Sequence, residues 1–356
     1  MKVSVVIPNY NGMDFLDNCL KSLENESEKD NSYFLEVIIV DNGSNDGSLD
    51  FIKNKIKNNS NNNNNNNNSN NSNNSNNSNN NNNQNNINFH LISNETNLGF
   101  SKAVNQGISL VISYKSEYIC LLNNDTEIGE NFFDNLIKSI KTNPDIFSVS
   151  SKMLQYNNPD LIDDAGDEYT LLGWTKKSGE GMDKSTSKYS RQREIFSSCG
   201  GASLYRASIF NEIGYFDEDF FAYMEDVDIG YRALINGYKN VYSPDAIVYH
   251  LGSASSGSKY NEFKIPLAAR NNIWLIYKNM PWPQILLNIG FLFIGFLIKY
   301  LFFLRIGYGN LYLKGLKEGL SNRKKVKRTK FKASNLKNYF KIEWKLIVNT
   351  FKLLFK

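Results

Sequence analysis

The sequence predicts an α/β fold, a mainly parallel sheet flanked by helices, followed by a C-terminal helical segment that associates with a membrane. Three observations predict it. Short apolar runs alternate with amphipathic stretches through the first 150 residues. Turn-forming, acidic and amide residues gather where the apolar runs end. The C-terminal part turns apolar and then strongly basic.

Residues 3–7 read as a buried strand stopped by Pro8. The five-residue apolar run after Met1-Lys2 is too short for a signal peptide. A helix follows over 13–28, and a second strand, 34–40, ends at Asp41. Residues 42–48 are dense turn chemistry that caps a helix over 48–57. This strand–helix–strand–loop–helix order argues for a parallel sheet. Residues 58–86 are 29 positions of Asn and Ser with one Gln. Such a tract has nothing to bury against its ordering entropy, so a disordered surface insertion is expected. Ser69, Ser72, Ser75 and Ser78 recur every third residue, as simple-sequence expansion does. Loop closure costs little extra with length, and the tract is expected away from the active face. Beyond it come a strand at 89–92, a helix at 100–114 and a strand at 118–122 that ends at Asn123-Asn124-Asp125. A helix at 131–141 and a strand at 147–150 complete the regular part. From 151 to 255 the pattern loosens: helices are expected at 206–212 and 227–236, then a strand at 246–249 ending at His250. The expected organisation is a catalytic domain over 1–255, a connecting segment over 256–280 and a membrane-associating region over 281–356.

Charged residues are 21% of 356, an ordinary globular share that excludes global disorder, collagen and a coiled-coil rod. Cys19, Cys120 and Cys199 are odd in number and scattered, which excludes a disulfide framework and suggests a reducing compartment. With two histidines there is no structural zinc site. The net charge of +4 is unevenly spread. Residues 314–356 hold fourteen Lys and Arg against Glu318 and Glu343, a charge of +12, which leaves −8 for residues 1–313. An acidic body with a basic tail does not suit a nucleic-acid partner; it suits tethering to an anionic membrane surface. The expected location is the cytoplasmic face of a membrane, peripheral or single-pass.

Residues 285–304 are apolar apart from Asn288 and Lys299, long enough to cross a hydrocarbon core of roughly 30 Å. Asn288, Gly295 and Lys299 share one helix face, which suits an in-plane or protein-packed helix as well as a spanning one. Phe340, Trp344, Ile347, Phe351 and Leu354 recur at helical spacing among lysines. A basic amphipathic helix with Trp and Phe reads as a membrane-surface element, the alternative being a helix packed on the catalytic domain.

In an open α/β sheet, ligands bind outside the carboxyl ends of the strands. Asp41 ends the second strand and Asp46 lies in the loop after it. Asn97-Leu98-Gly99 precedes the next helix, and Asp125 follows the fourth strand. An Asp carboxylate on that rim can accept a hydrogen bond from a pyrimidine ring N–H. The helix start after Gly99 offers backbone N–H groups to a phosphate. Asp125 is placed to hold a divalent cation through oxygen. Taken singly, Asp41 is equally a turn former and Asp125 a helix cap; the joint pattern carries the reading.

In sum over residues 3–252, the chain resembles the family 2 glycosyltransferases, whose GT-A fold is a mixed, mainly parallel sheet flanked by helices. The resemblance rests on Val5-Val6-Ile7-Pro8-Asn9-Tyr10-Asn11-Gly12, Val40-Asp41-Asn42-Gly43-Ser44-Asn45-Asp46-Gly47-Ser48 and Asn97-Leu98-Gly99-Phe100. It continues in Leu121-Leu122-Asn123-Asn124-Asp125-Thr126, Phe216-Asp217-Glu218 and Glu225-Asp226-Val227-Asp228 with Arg232. Within the family it looks like the rhamnosyltransferase branch. The resemblance implies that Asp41 binds the nucleobase and that Pro8, Asn9 and Tyr10 line the nucleotide pocket. Asn123-Asn124-Asp125 stands where the family has its metal-binding Asp-x-Asp, so Asp125 is the expected ligand of Mg²⁺ or Mn²⁺. Asn123 leaves that motif one carboxylate fewer. Asp226, beside Glu225, matches the catalytic base, and His250 matches a position that completes the metal site.

The implied donor is a nucleoside-diphosphate sugar and the acceptor a glycan or a lipid-linked glycan. Direct displacement with one base gives inversion, and a metal neutralises the leaving diphosphate. Asp226 is alternatively an ion-pair partner of Arg232, and His250 a satisfied strand-end histidine. Arg270 is followed by Asn271-Asn272-Ile273-Trp274 and lacks the Gln-x-x-Arg-Trp of processive synthases, so a single transfer is expected. Two rivals are a sugar-nucleotide nucleotidyltransferase, which would want a cationic Gly-rich loop where Pro8-Asn9-Tyr10-Asn11-Gly12 stands, and an inactive nucleotide-sugar binding or scaffold protein.

Overall fold

The computed structural model describes residues 2–28, 33–68, 87–252 and 260–355. The first half is built as the apolar runs dictate. Strand β1 (Lys2–Asn9) leads to helix α1 (Met13–Ser27), β2 (Phe34–Asn42), α2 (Ser48–Asn68), β3 (Ile87–Asn94), α3 (Phe100–Ser113) and β4 (Tyr118–Leu122). Short β5 (Thr126–Ile128), α4 (Phe132–Lys141) and β6 (Ile146–Gln155) follow. Next come β7 (Asn158–Asp164), β8 (Asp167–Tyr169), β9 (Thr175–Lys177), β10 (Arg193–Ile195) and β11 (Ala202–Arg206). The body closes with α5 (Phe210–Ile213), α6 (Glu225–Ile235) and β12 (Lys239–His250), and four helices end the chain: α7 (Lys264–Asn279), α8 (Trp282–Arg305), α9 (Gly309–Ser321) and α10 (Leu336–Leu354).

The main sheet runs β10-β12-β6-β11-β4-β1-β2-β3, with β5 added to β12 and β7 to β6. Strands β4, β1, β2 and β3 are mutually parallel, and β11 is antiparallel to both β4 and β6. The fold is thus a mixed, mainly parallel GT-A-type sheet between helices. Both faces of its parallel part are covered, which is why these strands read as mostly apolar runs. Val3, Val5 and Ile7 join Leu16, Leu20 and Leu136 on one face, while Val6, Ile38 and Val40 join Val104, Ile108 and Val111 on the other. A third apolar cluster joins Tyr169, Phe196 and Tyr231 of the body to Trp274, Leu292, Ile342 and Leu346. It crosses the expected limits at 255 and 281.

Two expectations need correction. Helix α2 continues to Asn68, so residues 58–68 are helical rather than a loop. Once a helix is nucleated, each further residue adds a backbone hydrogen bond, and Asn tolerates that. The rest of the Asn/Ser tract, 69–86, lies outside the described residues. The helix expected at 206–212 is reduced to a 3₁₀ turn and the single turn α5, because its first residue ends strand β11. Ala202-Ser203-Leu204-Tyr205 has little β-propensity, but pairing on both edges and complete burial override it.

Candidate active site

The parallel strands deliver their carboxyl ends to one rim, where a cleft of about 950 Å³ opens. Pro8, Asn9, Tyr10, Asn97, Asn123 and Asn124 line it from the β1, β3 and β4 ends. Asp125, Glu225, Asp226 and His250 line it from beyond the middle of the sheet. Asp125 and Asp226 therefore share one cavity although 101 positions separate them.

Three expected binding residues are placed differently. Asp41 is fully buried and does not line the cleft. It pairs in register with Asn9 on the adjacent strand, so the Asn9 side-chain amide covers it, donating to Asp41 Oδ1 at 2.9 Å. Asn9 is held from the other side by Asn124, which donates to Asn9 Oδ1 at 2.7 Å. Asp46 likewise lies outside the cleft and accepts from the Met13 and Ser48 backbone N–H groups at 2.8 and 3.0 Å. It staples the β1–α1 loop to the start of α2. The hydrogen bonds from Ser48 and Met13 outweigh partial burial and hold the Asp46 carboxyl below its usual value. Gly99 is absent from the lining, and its N–H donates to Asn97 Oδ1 at 2.9 Å. Ser101 N–H donates to the Phe221 carbonyl at 3.2 Å, so two of the N–H groups expected for a phosphate are already engaged. Gly99 has φ +89°, and a Cβ there would meet the Phe221 ring at 2.6 Å. Only glycine fits that junction.

Asp125 and His250 meet because β5 pairs antiparallel with β12, placing His250 opposite Thr126. His250 Nε2 lies 3.6 Å from Asp125 Oδ2, and Nδ1 lies 2.7 Å from Asp163 Oδ2. Lys177 Nζ stands 3.1 Å from the same Asp163 oxygen. Burial works against the imidazolium, but the two carboxylates win and raise the His250 pKa to about 9. Asp163 falls to about 2: burial raises it, and His250 and Lys177 more than offset this. Asp125 Oδ1 is buried with no hydrogen-bond partner among the described residues.

That orphaned carboxylate oxygen suits a hard divalent cation, which His250 would join only on giving up its proton. Among the described residues no group of three or more His, Cys, Asp or Glu is arranged to hold a metal ion. Asp125 and His250 would therefore supply two donors and leave the others to a diphosphate, as Mg²⁺-type sites commonly do.

The start of α6 carries three carboxylates with different fates. Asp228 is fully buried and accepts from Arg232 at 2.9 Å, Lys278 at 2.9 Å and Asn279 at 2.7 Å. Burial pushes it up, yet these cations hold its carboxyl below the usual value. Among the described residues Asp226 makes no ion pair with Arg232; it accepts from the backbone N–H groups of Val227 (2.8 Å) and Gly200 (3.4 Å). Burial raises its pKa, the backbone amides partly opposing. Burial and then the Asp226 charge raise Glu225 well above its ordinary value, and its Oε2 is unpartnered among the described residues. Burial, more than the crowding expected from the sequence, sets these shifts. Cys199 lines the cleft beside them, its thiol raised chiefly by burial.

The loop before α6 is strained. Phe221, Tyr223 and Met224 all have positive φ, at 65°, 69° and 73°. Asn271 of α7, fully buried, clamps it: its side-chain amide donates to the carbonyls of Phe220, Ala222 and Tyr223 at 2.8, 2.9 and 2.8 Å. Sequence reasoning missed Asn271, Asp163 and Lys177, and also Lys299, Phe302 and Phe303 of α8, which line the cleft. Asn271 follows Arg270 inside a motif weighed only for what it lacks, and nothing in the local sequence around Asp163 marks it.

The glycosyl transferase family 2 model matches residues 4–214. An N-acetylglucosaminyl-diphospho-decaprenol L-rhamnosyltransferase of Mycobacterium tuberculosis is 26% identical over 189 residues, 48% of this chain and 61% of the relative. The chain thus spans less than two thirds of that relative's length. Among solved structures, GalNAc-T7 with UDP, GalNAc and Mn²⁺ superposes with a TM-score of 0.55 at 16% identity, over 78% of this chain and 47% of that one. The mannosyltransferase PcManGT of Pyrobaculum calidifontis with GDP-Man and Mn²⁺ gives 0.52 at 13% identity, over 90% and 75%. These two likenesses concern the fold. With more than half its length matched by the family model, the chain belongs to glycosyl transferase family 2.

Proposed function

We infer that this protein transfers a sugar from a nucleoside-diphosphate sugar to a hydroxyl of a glycan or lipid-linked acceptor, in one inverting, non-processive step. The observation that carries the reading is Asp226, raised by burial and without an ion pair among the described residues, in the same cleft as Asp125 and His250. A carboxylate with an elevated pKa and no ion pair is available to take a proton. Asp226 removes the acceptor hydroxyl proton as that oxygen bonds to the anomeric carbon. The bond from the anomeric carbon to the diphosphate breaks on the opposite side, which inverts the centre. Asp125 and His250 would hold Mg²⁺ or Mn²⁺. That ion, when bound, neutralises charge on the departing diphosphate. Asn9, fixed between Asp41 and Asn124, orients the nucleotide, with Pro8, Tyr10 and Asn97 beside it; Asp41 acts through Asn9.

The relative's lipid-linked acceptor fits the C-terminal helices. Helix α8 is long and apolar enough to cross a membrane by length and composition. Leu286, Leu287, Phe293 and Leu301 on it are more than half exposed, as are Phe340, Trp344 and Phe351 of α10. The inner face of α8 is fastened to α10, Gln284 and Asn288 donating to Glu343 at 2.8 and 3.0 Å, and to the body, Tyr231 Oη donating to Gln284 at 3.2 Å. This supports an in-plane helix at an anionic, cytoplasmic-side surface, with the basic run 323–332 beside it.

The test is a panel of nucleotide sugars with Mn²⁺ or Mg²⁺ and lipid-linked acceptors. The expected result is nucleoside diphosphate release together with an anomerically inverted glycosidic product. Donor binding with neither hydrolysis nor transfer would instead support the inactive binding protein.

A further inference from the structure

One polar stripe runs along α8. Gln284, Asn288, Gly295 and Lys299 are spaced by four, seven and four residues and share a face. Three of the four are used in packing. Gln284 accepts from Tyr231 Oη at 3.2 Å and donates to Glu343. Asn288 donates to the same carboxylate. The Gly295 carbonyl accepts from Trp174 Nε1 at 3.0 Å, and a Cβ at Gly295 would lie 2.0 Å from the Leu172 carbonyl oxygen. The helix therefore sits backbone to backbone on the body and cannot rotate. Lys299, one turn further on, is thereby turned into the cleft. It is half-buried, it has no carboxylate partner among the described residues, and its Nζ lies 5.8 Å from the Trp174 ring.

A half-buried ammonium without a counterion is costly unless a ligand supplies one. Its surroundings describe that ligand. At this end the cleft is lined by Ala269, Phe302, Phe303 and Tyr312, an apolar wall, whereas the nucleotide end is lined by Asn9, Asn97 and Asn124. On the same helix the outward side chains Leu297, Ile298 and Leu301 are exposed and apolar. A cation thus stands between a reactive cleft and a lipid-facing surface. We propose that Lys299 anchors the phosphate of an amphiphilic acceptor, whose head enters the cleft while its hydrocarbon tail stays along α8. This rests on the glycosyl-transfer reading and narrows its acceptor to a phosphate-linked lipid. The donor diphosphate is the other source of the same chemistry, and the apolar surroundings of Lys299 argue against it.

The test needs neither donor sugar nor turnover, so it can fail while the transfer reading stands, or hold while transfer fails. The full chain is titrated with decyl phosphate, with decanol and with inorganic pyrophosphate, each followed by tryptophan fluorescence. The expected result is tighter binding of decyl phosphate than of decanol by about tenfold or more, the scale of a charge-assisted hydrogen bond. Lys299→Met should erase that preference with pyrophosphate binding unaltered, and Lys299→Arg should keep it, which separates lost charge from a disturbed helix. No preference in the wild type, a preference that survives in Lys299→Met, or an equal loss for pyrophosphate would each overturn the assignment.

Discussion

Arg232 donates to Asp228 at 2.9 Å, one helical turn away, and not to Asp226 six positions before it. On a helix, positions four apart share a face and positions six apart do not. The ion-paired carboxylate and the one proposed as base are thereby separated within three residues.

For Asp226, Asp226→Asn should lower turnover about a hundredfold or more with donor affinity retained, since the base acts only as the bond forms. The wild-type rate should have an acid limb above the ordinary aspartate range, because burial raises this carboxyl and only its ionised form accepts a proton. Activity is full above that pKa and lost as pH falls through it. A pH–rate profile and a donor titration check both points.

Asp228 should matter to stability instead. Asp228→Ala leaves Arg232 and Lys278 partly uncompensated in the interior and should cost about 3–5 kcal/mol, measured by denaturant unfolding. The folded-state pKa of Asp228 is depressed, so its contribution is present above the unfolded value near 3.9 and lost as pH falls through the lower folded one. The variant should therefore show a shallower loss of stability on acidification than the wild type.

Asn271→Ala removes the donor shared by three carbonyls of the strained loop. About 1–3 kcal/mol of stability should go. Hydrogen exchange at 220–224 should quicken, and kcat should fall more than donor KM rises, because the loop sets the start of the helix that carries Asp226. Unchanged exchange would refute the clamp.

Asp125→Ala should abolish Mn²⁺-dependent nucleoside-diphosphate binding, read by Mn²⁺ electron paramagnetic resonance. Asp163→Asn should weaken Mn²⁺ by about 10–100-fold, since a carboxylate on the far nitrogen orients a ligating histidine. Chelation should remove transfer in the wild type, and added Mn²⁺ should restore it.

Replacing Phe340, Trp344 and Phe351 with Ser should reduce sedimentation with phosphatidylglycerol-containing vesicles. Wild-type binding should also weaken with salt, because the basic run 323–332 acts through a screened field. Equal binding to pure phosphatidylcholine would remove the electrostatic part of this account.

The parallel half of the fold was legible because strands buried on both faces leave near-continuous apolar runs, as Val3–Ile7 (broken only by Ser4) and Leu35–Val40 (broken only by Glu36) do. Strand β11 was not, since Ala202, Ser203 and Leu204 are strand residues only by virtue of their neighbours. At the site, Asp125, Asp226 and His250 do share one cleft. That Asp41 sits behind Asn9 is a matter of register between adjacent strands, which residue identity alone does not reveal. Asp163 became visible only through the pairing of β7 with β6 and of β6 with β12, which brings it beside His250. The C-terminal helices were read for their outward apolar faces, while the inward face that completes the cleft depends on packing.

Strand β3 begins with Ile87 opposite Leu35, at the edge of the sheet where β1 and β2 also begin. Ile87, the first described residue after the Asn/Ser tract, thus lies at the end of the strands remote from Asp125 and Asp226. A change in the number of residues before Ile87 therefore enters the sheet at that end and leaves the spacing of Asp125 and Asp226 as it is.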